Sequence, residues 1–181
     1  MTAQAQTHAQ PSPAIPADNP DRKLAVADPN SPNSRFIAIA GGVYTILLTG
    51  EETGGRYCLI EMQVPPNAGP PPHRHDFEEM FTVLEGEIDL TFRGTMQKAT
   101  AGVTVNIPAN APHAFKNNSG APARLLCMCT PPGQELFFME IGVPVASRSA
   151  VAPKLSPEEQ AKTLKKIKAL APHYRTELLV P

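Results

Sequence analysis

The chain has 181 residues, 41% of them hydrophobic, and 16 basic side chains nearly balance 17 acidic ones to give a formal net charge of -1. This length suits one domain with a real core plus extensions. The near-neutral charge excludes a broad electrostatic surface for nucleic acid or an anionic membrane. We therefore expect the partner to be a small molecule or another protein.

The N-terminal stretch, residues 1–30, is rich in Ala, Gln, Pro, Asn and Asp. Its apolar content is too low to offset the entropy of ordering it, which predicts a flexible tail, or an arm that orders only against a partner. The stretch lacks the basic start and continuous apolar core of a signal peptide, and no later stretch is long enough to cross a bilayer. We therefore expect a cytoplasmic protein without membrane contact.

Short runs of strand type begin at residue 35, with clusters of Gly, Pro and Asn between them. The runs are RFIAIA, VYTILLTG, RYCLIEMQV, EMFTVLEG, EIDLTFRG, VTVNIPA, HAFKN and ARLLCMCT. An α/β sheet would need helices between such strands, and no helical period occurs among them. The pattern predicts an all-β domain over residues 31–150, either a barrel or an antiparallel sandwich.

A change of pattern marks residues 151–181 as a helical extension. The sequence SPEE at 156–159 is a capping box with Pro at the first helical position, and apolar residues follow at helical spacing. We predict a helix from about residue 157 to 171. The preceding segment 132–144 is compatible with a short helix or a strand, and with simple packing on the barrel or a lid over a pocket.

Three cysteines, Cys58, Cys127 and Cys129, lie in apolar runs and form no CxxC pair. Free Cys in such runs behaves as a small hydrophobic residue, which predicts buried thiols in a reducing compartment. The alternative is that Cys127 and Cys129 share one strand face and bind a metal.

Two histidines alternate with an arginine in the sequence HRH at 73–75. In an extended strand His73 and His75 project from the same face, where both imidazoles can bind one metal ion at about 2.0–2.2 Å. If the strand continues, Glu79 lies on that face and Glu78 on the opposite, solvent-facing one. A buried carboxylate without a positive partner is unfavourable, and a metal ion removes that cost. The alternative for an isolated HxH is a pair of surface histidines.

His113 begins the run HAFKN after the turn PANAP and shares a strand face with Phe115. A β-fold can bring His113 opposite the first pair and so complete a site of three histidines and one carboxylate. By contrast, His8 in the tail and His173 after the predicted helix are interpreted as ordinary solvated residues.

With these residues in view, the chain resembles the cupin superfamily. The first cupin motif is Gly, five residues, HxH, three or four residues, Glu, six residues and Gly. Its matches here are His73, His75, Glu79 and Gly86. The second is Gly, five residues, Pro-x-Gly, two residues, His, three residues and Asn. Its matches here are Gly102, Pro108, His113 and Asn117.

Two motif glycines are replaced by asparagine, at Asn67 and Asn110. Asn tolerates a left-handed turn better than any residue except Gly, so both replacements can keep the backbone. The chain is also similar to the quercetin 2,3-dioxygenase-like group of single-domain bacterial cupins, because PPGQELFFMEIG precedes a capped helix.

The resemblance implies a double-stranded β-helix of jelly-roll type, the cupin barrel, with a C-terminal helix and a flexible N-terminal arm. It also implies one divalent transition metal, Fe, Mn, Ni, Co or Zn, and its implied ligands are His73, His75, Glu79 and His113. Small barrels of this kind expose sheet edges, so we expect a homodimer in which the run RFIAIA adds a strand across the interface.

A metal held by four protein ligands keeps open positions for a substrate. The resemblance implies a metal-dependent dioxygenase for a flavonol-like or enol- or catechol-like substrate, with Glu79 as the catalytic residue that takes its proton. The alternatives are a non-catalytic small-ligand or metal-binding cupin, and a redox-neutral isomerase, hydrolase or decarboxylase. The absence of a helix-turn-helix segment argues against a regulator with its own DNA-binding domain.

Six apolar side chains are candidates for the pocket wall, with ordinary core packing as the alternative for each. They are Ile60, Met62, Phe81, Phe92, Phe115 and Met128. Arg56, Tyr57 and Arg124 are further candidates to hold an acidic substrate, although surface placement is the simpler interpretation.

Overall fold

The structure, a computed structural model, describes residues 14–180. Strands dominate, and their bounds are β1 (Arg35–Ile39), β2 (Gly42–Leu48), β3 (Cys58–Val64), β4 (His73–His75), β5 (Glu78–Glu85), β6 (Glu87–Phe92), β7 (Thr95–Thr100), β8 (Thr104–Ile107), β9 (His113–Lys116), β10 (Ala123–Thr130), β11 (Val143–Pro144) and β12 (Thr176–Leu178). Two helices, α1 (Gln134–Ile141) and α2 (Pro157–Leu170), follow the barrel strands, and a short 3-10 turn (Ala171–Tyr174) extends α2.

The strands form two antiparallel sheets. One sheet has seven strands in the order β11-β1-β2-β3-β10-β5-β8, and the other has five in the order β12-β4-β9-β6-β7. From β3 to β10 the chain crosses from one sheet to the other at every step except the β6–β7 hairpin, which is the connectivity of a double-stranded β-helix. The predicted all-β jelly-roll fold with a C-terminal helix is therefore confirmed.

The core lies between the two sheets and follows strand alternation. On β10 the side chains of Leu125, Cys127 and Cys129 are fully buried, whereas the intervening residues are half-buried on the outer face. Across the core, the ring of Phe81 on β5 meets that of Phe115 on β9 edge-on, with 5.3 Å between the ring centroids. This apolar filling holds the two sheets together.

The HxH strand is shorter than its pattern indicated. β4 ends at His75, the chain bends at residues 76–77, and β5 begins in the other sheet. The condition that one strand continues from His73 through Glu79 is therefore not met. Glu79 still points to the histidines because the two sheets face each other across the core.

Two further differences from the sequence patterns concern single elements. β7, with the sequence TMQKAT, was not among the predicted runs, because it is an exposed edge strand without apolar alternation. β1 lies between β11 and β2 of its own chain, so the idea that RFIAIA adds a strand across a dimer interface is not supported. The homodimer itself stays a prediction.

Both asparagines that replace motif glycines adopt left-handed backbone conformations, with φ of 68° at Asn67 and 67° at Asn110. These values lie in the small region that Asn visits more readily than other residues with a side chain. The turns of the two motifs are therefore preserved without glycine, as expected from the sequence.

The C-terminal residues pack back on the barrel. The predicted capping box is present at the start of α2, where Ser156 N donates to Glu159 Oε2 and Glu159 N donates to Ser156 Oγ. After the 3-10 turn, β12 pairs with β4, and an ion pair of 2.6 Å joins Arg74 to Glu177. One edge of the HxH strand is thereby covered by the end of the chain.

Residues 14–30, the described part of the predicted tail, contain no helix or strand and are mostly exposed, while residues 1–13 and His8 lie outside the described residues. The flexibility of the tail and the division into residues 1–30, 31–150 and 151–181 stay predictions. Neither described helix has the length and apolar character that a membrane span requires.

Candidate metal centre

Four side chains converge in the barrel interior from three strands. His73 and His75 come from β4, His113 from β9 and Glu79 from β5, and all four are buried. One ligand atom from each lies within 4.8 Å of every other. The four residues that the resemblance implied as ligands therefore form one group, which we call the histidine-glutamate cluster.

Main-chain carbonyl oxygens fix the three imidazole rings. Nδ1 of each ring lies 2.9 Å from a carbonyl oxygen two residues away along the chain: Pro71 for His73, Phe77 for His75 and Ala111 for His113. Because an N–H must donate in these bonds, each ring carries its proton on Nδ1 and presents Nε2 to the cluster. Such outer hydrogen bonds are the usual means of orienting metal-binding histidines.

The inner atoms of the cluster are electron-rich and are stabilised by a cation placed between them. Nε2 of His75 and Nε2 of His113 each lie 3.1 Å from the same oxygen, Oε2 of Glu79. Three nitrogen lone pairs and a carboxylate would repel one another in the absence of a positive charge. Among the described residues, Glu79 has ion-pair contacts only with these two histidines. A divalent metal satisfies all four groups, so the donor set fits the predicted cofactor.

The pKa values of the cluster follow from burial and mutual contact. Burial alone would raise the pKa of Glu79, but the hydrogen bonds and charges of His113 and His75 hold it well below its usual range. Burial lowers the pKa of His73 to about 4. For His113, burial acts to lower the pKa, but the bond to Glu79 raises it above its ordinary value.

Metal affinity is therefore expected to depend on pH. Below the raised pKa of His113, a metal ion must displace one proton, which weakens apparent binding by about tenfold per pH unit. His73 stays neutral down to about pH 4 and adds nothing above that point. Titration of the apoprotein with zinc between about pH 5.5 and 8, with competing chelator, measures the slope. An affinity that is level over this range would contradict the proposed ligand set.

Two of the three cysteines adjoin the cluster. Cys127 Sγ lies 3.4 Å from Glu79 Oε1, Cys129 Sγ lies 3.8 Å from the same oxygen, and all three cysteines are free and buried. The bond from Cys129 lowers the pKa of Cys127, but burial and the charge of Glu79 outweigh it and raise that pKa to about 12. The buried thiols are confirmed. The set Glu79, Cys127 and Cys129 offers three ligand atoms against four in the histidine-glutamate cluster, so that cluster is the better metal site.

Glu78 and Asn117 play structural parts. Glu78 accepts hydrogen bonds from Ala109 N at 3.0 Å and Asn106 Nδ2 at 2.7 Å, so this half-buried side chain ties β5 to the loop before His113. Asn117, which matches the last position of the second motif, is fully buried and bonds to the turn that follows it.

A cavity of about 430 Å³ opens beside the cluster, and His73 and Glu79 are part of its wall. Met62, Phe81 and Phe115 line it, as nominated from the sequence. The remaining wall comes largely from after the barrel. α1 contributes apolar side chains, and the face of α2 that carries Thr163, Leu164 and Ile167 covers the outer side. Segment 132–144 is thus mainly a helix on the cavity wall.

The other three nominated wall residues do not line this cavity. Ile60 is fully buried in the core, and Met128 has the strand parity opposite to that of the inward-facing cysteines. Phe92 lies at the end of β6 with the Arg93 guanidinium 4.9 Å above its ring. These three residues are therefore left out of the candidate site.

The candidates for binding an acidic substrate also lie elsewhere. Arg124 forms ion pairs with Glu61 at 3.2 Å and with Glu85 at 2.6 Å on the outer face of the seven-stranded sheet. Arg56 and Tyr57 are absent from the described cavity wall. Two wall residues that the sequence did not suggest are Tyr44 on β2 and Gln134 at the start of α1.

The fold and the histidine-glutamate cluster together define the class of the protein. Residues 60–129 match the family model described as "Cupin domain", and these residues carry all four members of the cluster. The chain therefore contains a cupin domain, and the resemblance to the cupin superfamily is confirmed.

Comparison with known proteins gives three informative similarities. The HTH-type transcriptional regulator PuuR of Escherichia coli is 41% identical over 58 residues, covering 32% of this chain and 31% of PuuR. Quercetin 2,3-dioxygenase of Bacillus subtilis is 31% identical over 78 residues, covering 42% of this chain and 23% of the enzyme. The chain thus spans less than a third of either relative.

The third similarity is structural. A predicted oxalate decarboxylase from Thermotoga maritima matches with a TM-score of 0.54 at 19% identity, covering 59% of this chain and 98% of that chain. At this identity the match supports the fold alone.

Proposed function

We propose that this cupin is a metal-dependent dioxygenase that acts on a small oxygenated substrate of the flavonol, enol or catechol type. The observation that carries the proposal is a buried histidine-glutamate cluster on the wall of an apolar cavity of about 430 Å³. Cavities of this size commonly take small organic ligands. Membership of the quercetin 2,3-dioxygenase-like group is part of the proposal.

The proposed function assigns separate roles to the cluster and to the cavity wall. His73, His75, Glu79 and His113 hold the ion, and when bound it supplies Lewis acidity to a substrate oxygen and, if it is Fe, Mn, Co or Ni, redox chemistry with O2. Glu79 is the carboxylate on the cavity wall, so we assign it the acceptance of the substrate's hydroxyl proton. The aromatic side chains of the wall orient the substrate and exclude water.

The cavity wall has few ionisable side chains, which supports oxygenation over a redox-neutral reaction. An isomerase or hydrolase commonly needs a second acid or base besides the metal and Glu79. Apart from the cluster, the ionisable side chain on the described wall is Tyr44. Burial and the neighbouring Cys127 and Glu79 raise its pKa far above the ordinary range, so the phenol cannot serve as a general base near neutral pH. A substrate that reacts with O2 requires fewer acid and base groups from the protein.

The second candidate function is ligand binding without turnover. It is favoured by one specific observation, the 41% identity of a 58-residue stretch to the transcriptional regulator PuuR. In this case the same cavity and cluster would bind a small molecule, and a partner protein would bind the ligand-bound form selectively. The two candidates share a binding site and differ in whether O2 is consumed.

Oxygen uptake separates the two candidates. The purified protein is analysed for metal, loaded with Fe, Mn, Co or Ni in turn, and mixed with flavonols and catechol-like compounds in an oxygen electrode. We expect uptake that depends on the metal and is abolished by chelation, since the cluster must be occupied for the reaction. Tight binding of these compounds without O2 consumption under any metal would contradict the dioxygenase and favour the binding protein.

A further inference from the structure

Gln134 brings an unpartnered polar group to a wall that is largely apolar. This first residue of α1 is 3% exposed and lines the cavity, and its Oε1 has no hydrogen-bond partner within residues 14–180. A buried amide oxygen without a partner costs free energy, so a turn of the amide toward the cavity, which would let a ligand group donate to the enclosed Oε1, is favoured.

The position of Gln134 is fixed by its neighbour. Glu135 is buried and accepts two hydrogen bonds of 2.8 Å, from Gly50 N to Oε1 and from Gly133 N to Oε2. Pro132 packs so tightly on this loop that a Cβ atom at Gly50 would lie 2.6 Å from its Cγ. The start of α1 is therefore anchored to the barrel, which fixes the backbone of Gln134 at the cavity wall.

Two other polar side chains on the wall already have partners. Gln160 Nε2 donates to Leu155 O at 2.9 Å, and Thr176 Oγ1 donates to Tyr174 O at 3.1 Å. Gln160 and Thr176 therefore have less hydrogen-bonding capacity left for a ligand than Gln134 has.

The charge of the wall restricts the ligand as well. The described wall contains no lysine or arginine, and its ionisable members are Tyr44, His73 and Glu79. A carboxylate or phosphate far from the metal cluster would be buried there without a compensating charge, which is strongly unfavourable. The part of the ligand away from the cluster must therefore be neutral.

We propose that Gln134 recognises a hydroxyl group on a neutral, largely apolar ligand whose other, oxygen-bearing end lies at the histidine-glutamate cluster. A hydroxyl both donates and accepts, so it can bond to Oε1 and to Nε2 of the amide. The orientation of the ligand rests on the proposed function, whereas the hydroxyl preference rests on Gln134 itself. Gln134 thereby acts as a specificity-determining residue.

Binding to zinc-loaded protein tests this inference without turnover. The probes are 3-hydroxyflavone derivatives in matched pairs that carry a hydroxyl or a methoxy group at the same ring position, 4′ or 7. We expect one hydroxyl probe to bind about tenfold more tightly than its methoxy partner, the ratio of a good neutral hydrogen bond in a buried site. Gln134→Met, which keeps the length and removes the amide, should bring that ratio close to one.

The controls separate recognition from damage to the fold. Ile141→Val changes another cavity residue of the same helix and should weaken both members of a pair equally. The unfolding temperature of Gln134→Met should not fall, because the variant removes an unpaired buried oxygen, and Gln134→Leu serves as a second apolar variant.

Two results would overturn the hydroxyl assignment: a wild-type protein that binds neither member of any pair or prefers neither, and a preference that survives in both apolar variants. A failure of the dioxygenase proposal looks different. In that case O2 uptake is absent, while the hydroxyl preference and its loss in Gln134→Met are still measured.

Discussion

His75→Ala is expected to leave the protein nearly free of metal. The imidazole of His75 is fully buried, stacks on Phe77 with 3.9 Å between ring centroids, and is held by the Phe77 carbonyl. Alanine removes one of three nitrogen ligands from this fixed position. Since loss of an outer hydrogen bond alone typically costs about 10- to 100-fold in metal affinity, loss of the ligand itself should cost more than about 100-fold.

Elemental analysis after gel filtration, with the metal-to-protein ratio as the readout, checks this expectation. His173→Ala is the matched control, because that histidine is exposed on the 3-10 turn and should leave the ratio unchanged. Retention of full stoichiometry by His75→Ala would show that the ligands have been misassigned. Circular dichroism of both variants verifies that the barrel is still folded.

Asn117→Ala is expected to cause the largest loss of stability among single polar substitutions. The buried amide donates to the carbonyl oxygens of Val64 at 2.8 Å and Ala121 at 2.9 Å, and its own oxygen accepts from Ser119 N and Oγ. Alanine removes all four bonds and leaves a buried carbonyl unpaired. At about 1 kcal/mol for each bond, with part of the loss recovered by water, we expect a decrease of about 3 kcal/mol in the free energy of unfolding.

Urea denaturation of the apoprotein measures this change. Asn118→Ala provides the comparison, since the neighbouring asparagine is exposed and its side chain donates to Asp89 Oδ2 at the surface. Its effect should stay within about 0.5 kcal/mol, as is usual for surface substitutions. Equal midpoints for the two variants would mean that the buried network around Asn117 contributes little.

The sequence predicted those parts of the site that depend on strand alternation. His73 and His75 share a face because every second residue of a strand does, and the buried pattern of β10 follows from the same rule. Alternation also distinguishes Met128 from Cys127 and Cys129, and applying it there would have excluded Met128 from the pocket. Motif spacing then supplied His113, which alternation alone could not bring to the other two.

The remaining features depend on tertiary contacts that leave little trace in the sequence. Gln134 and Glu135 are adjacent and look alike in the segment PGQELFF, yet one faces the cavity and the other accepts bonds from the Gly50 loop. Glu61 occupies a strand position that reads as solvent-facing, but it is buried between Arg124 and Arg148. Such placements are decided by distant segments, so periodicity cannot predict them.

The three-residue strand β4 has a consequence for the order of folding. Its neighbours in the sheet are β9 and β12, and the ion pair that joins it to β12 links residues 103 positions apart in the chain. Contacts of such separation carry a high cost in loop-closure entropy and tend to form after local hairpins such as β6–β7. We therefore expect β4, and with it the metal site that it completes, to be among the last parts of the barrel to form.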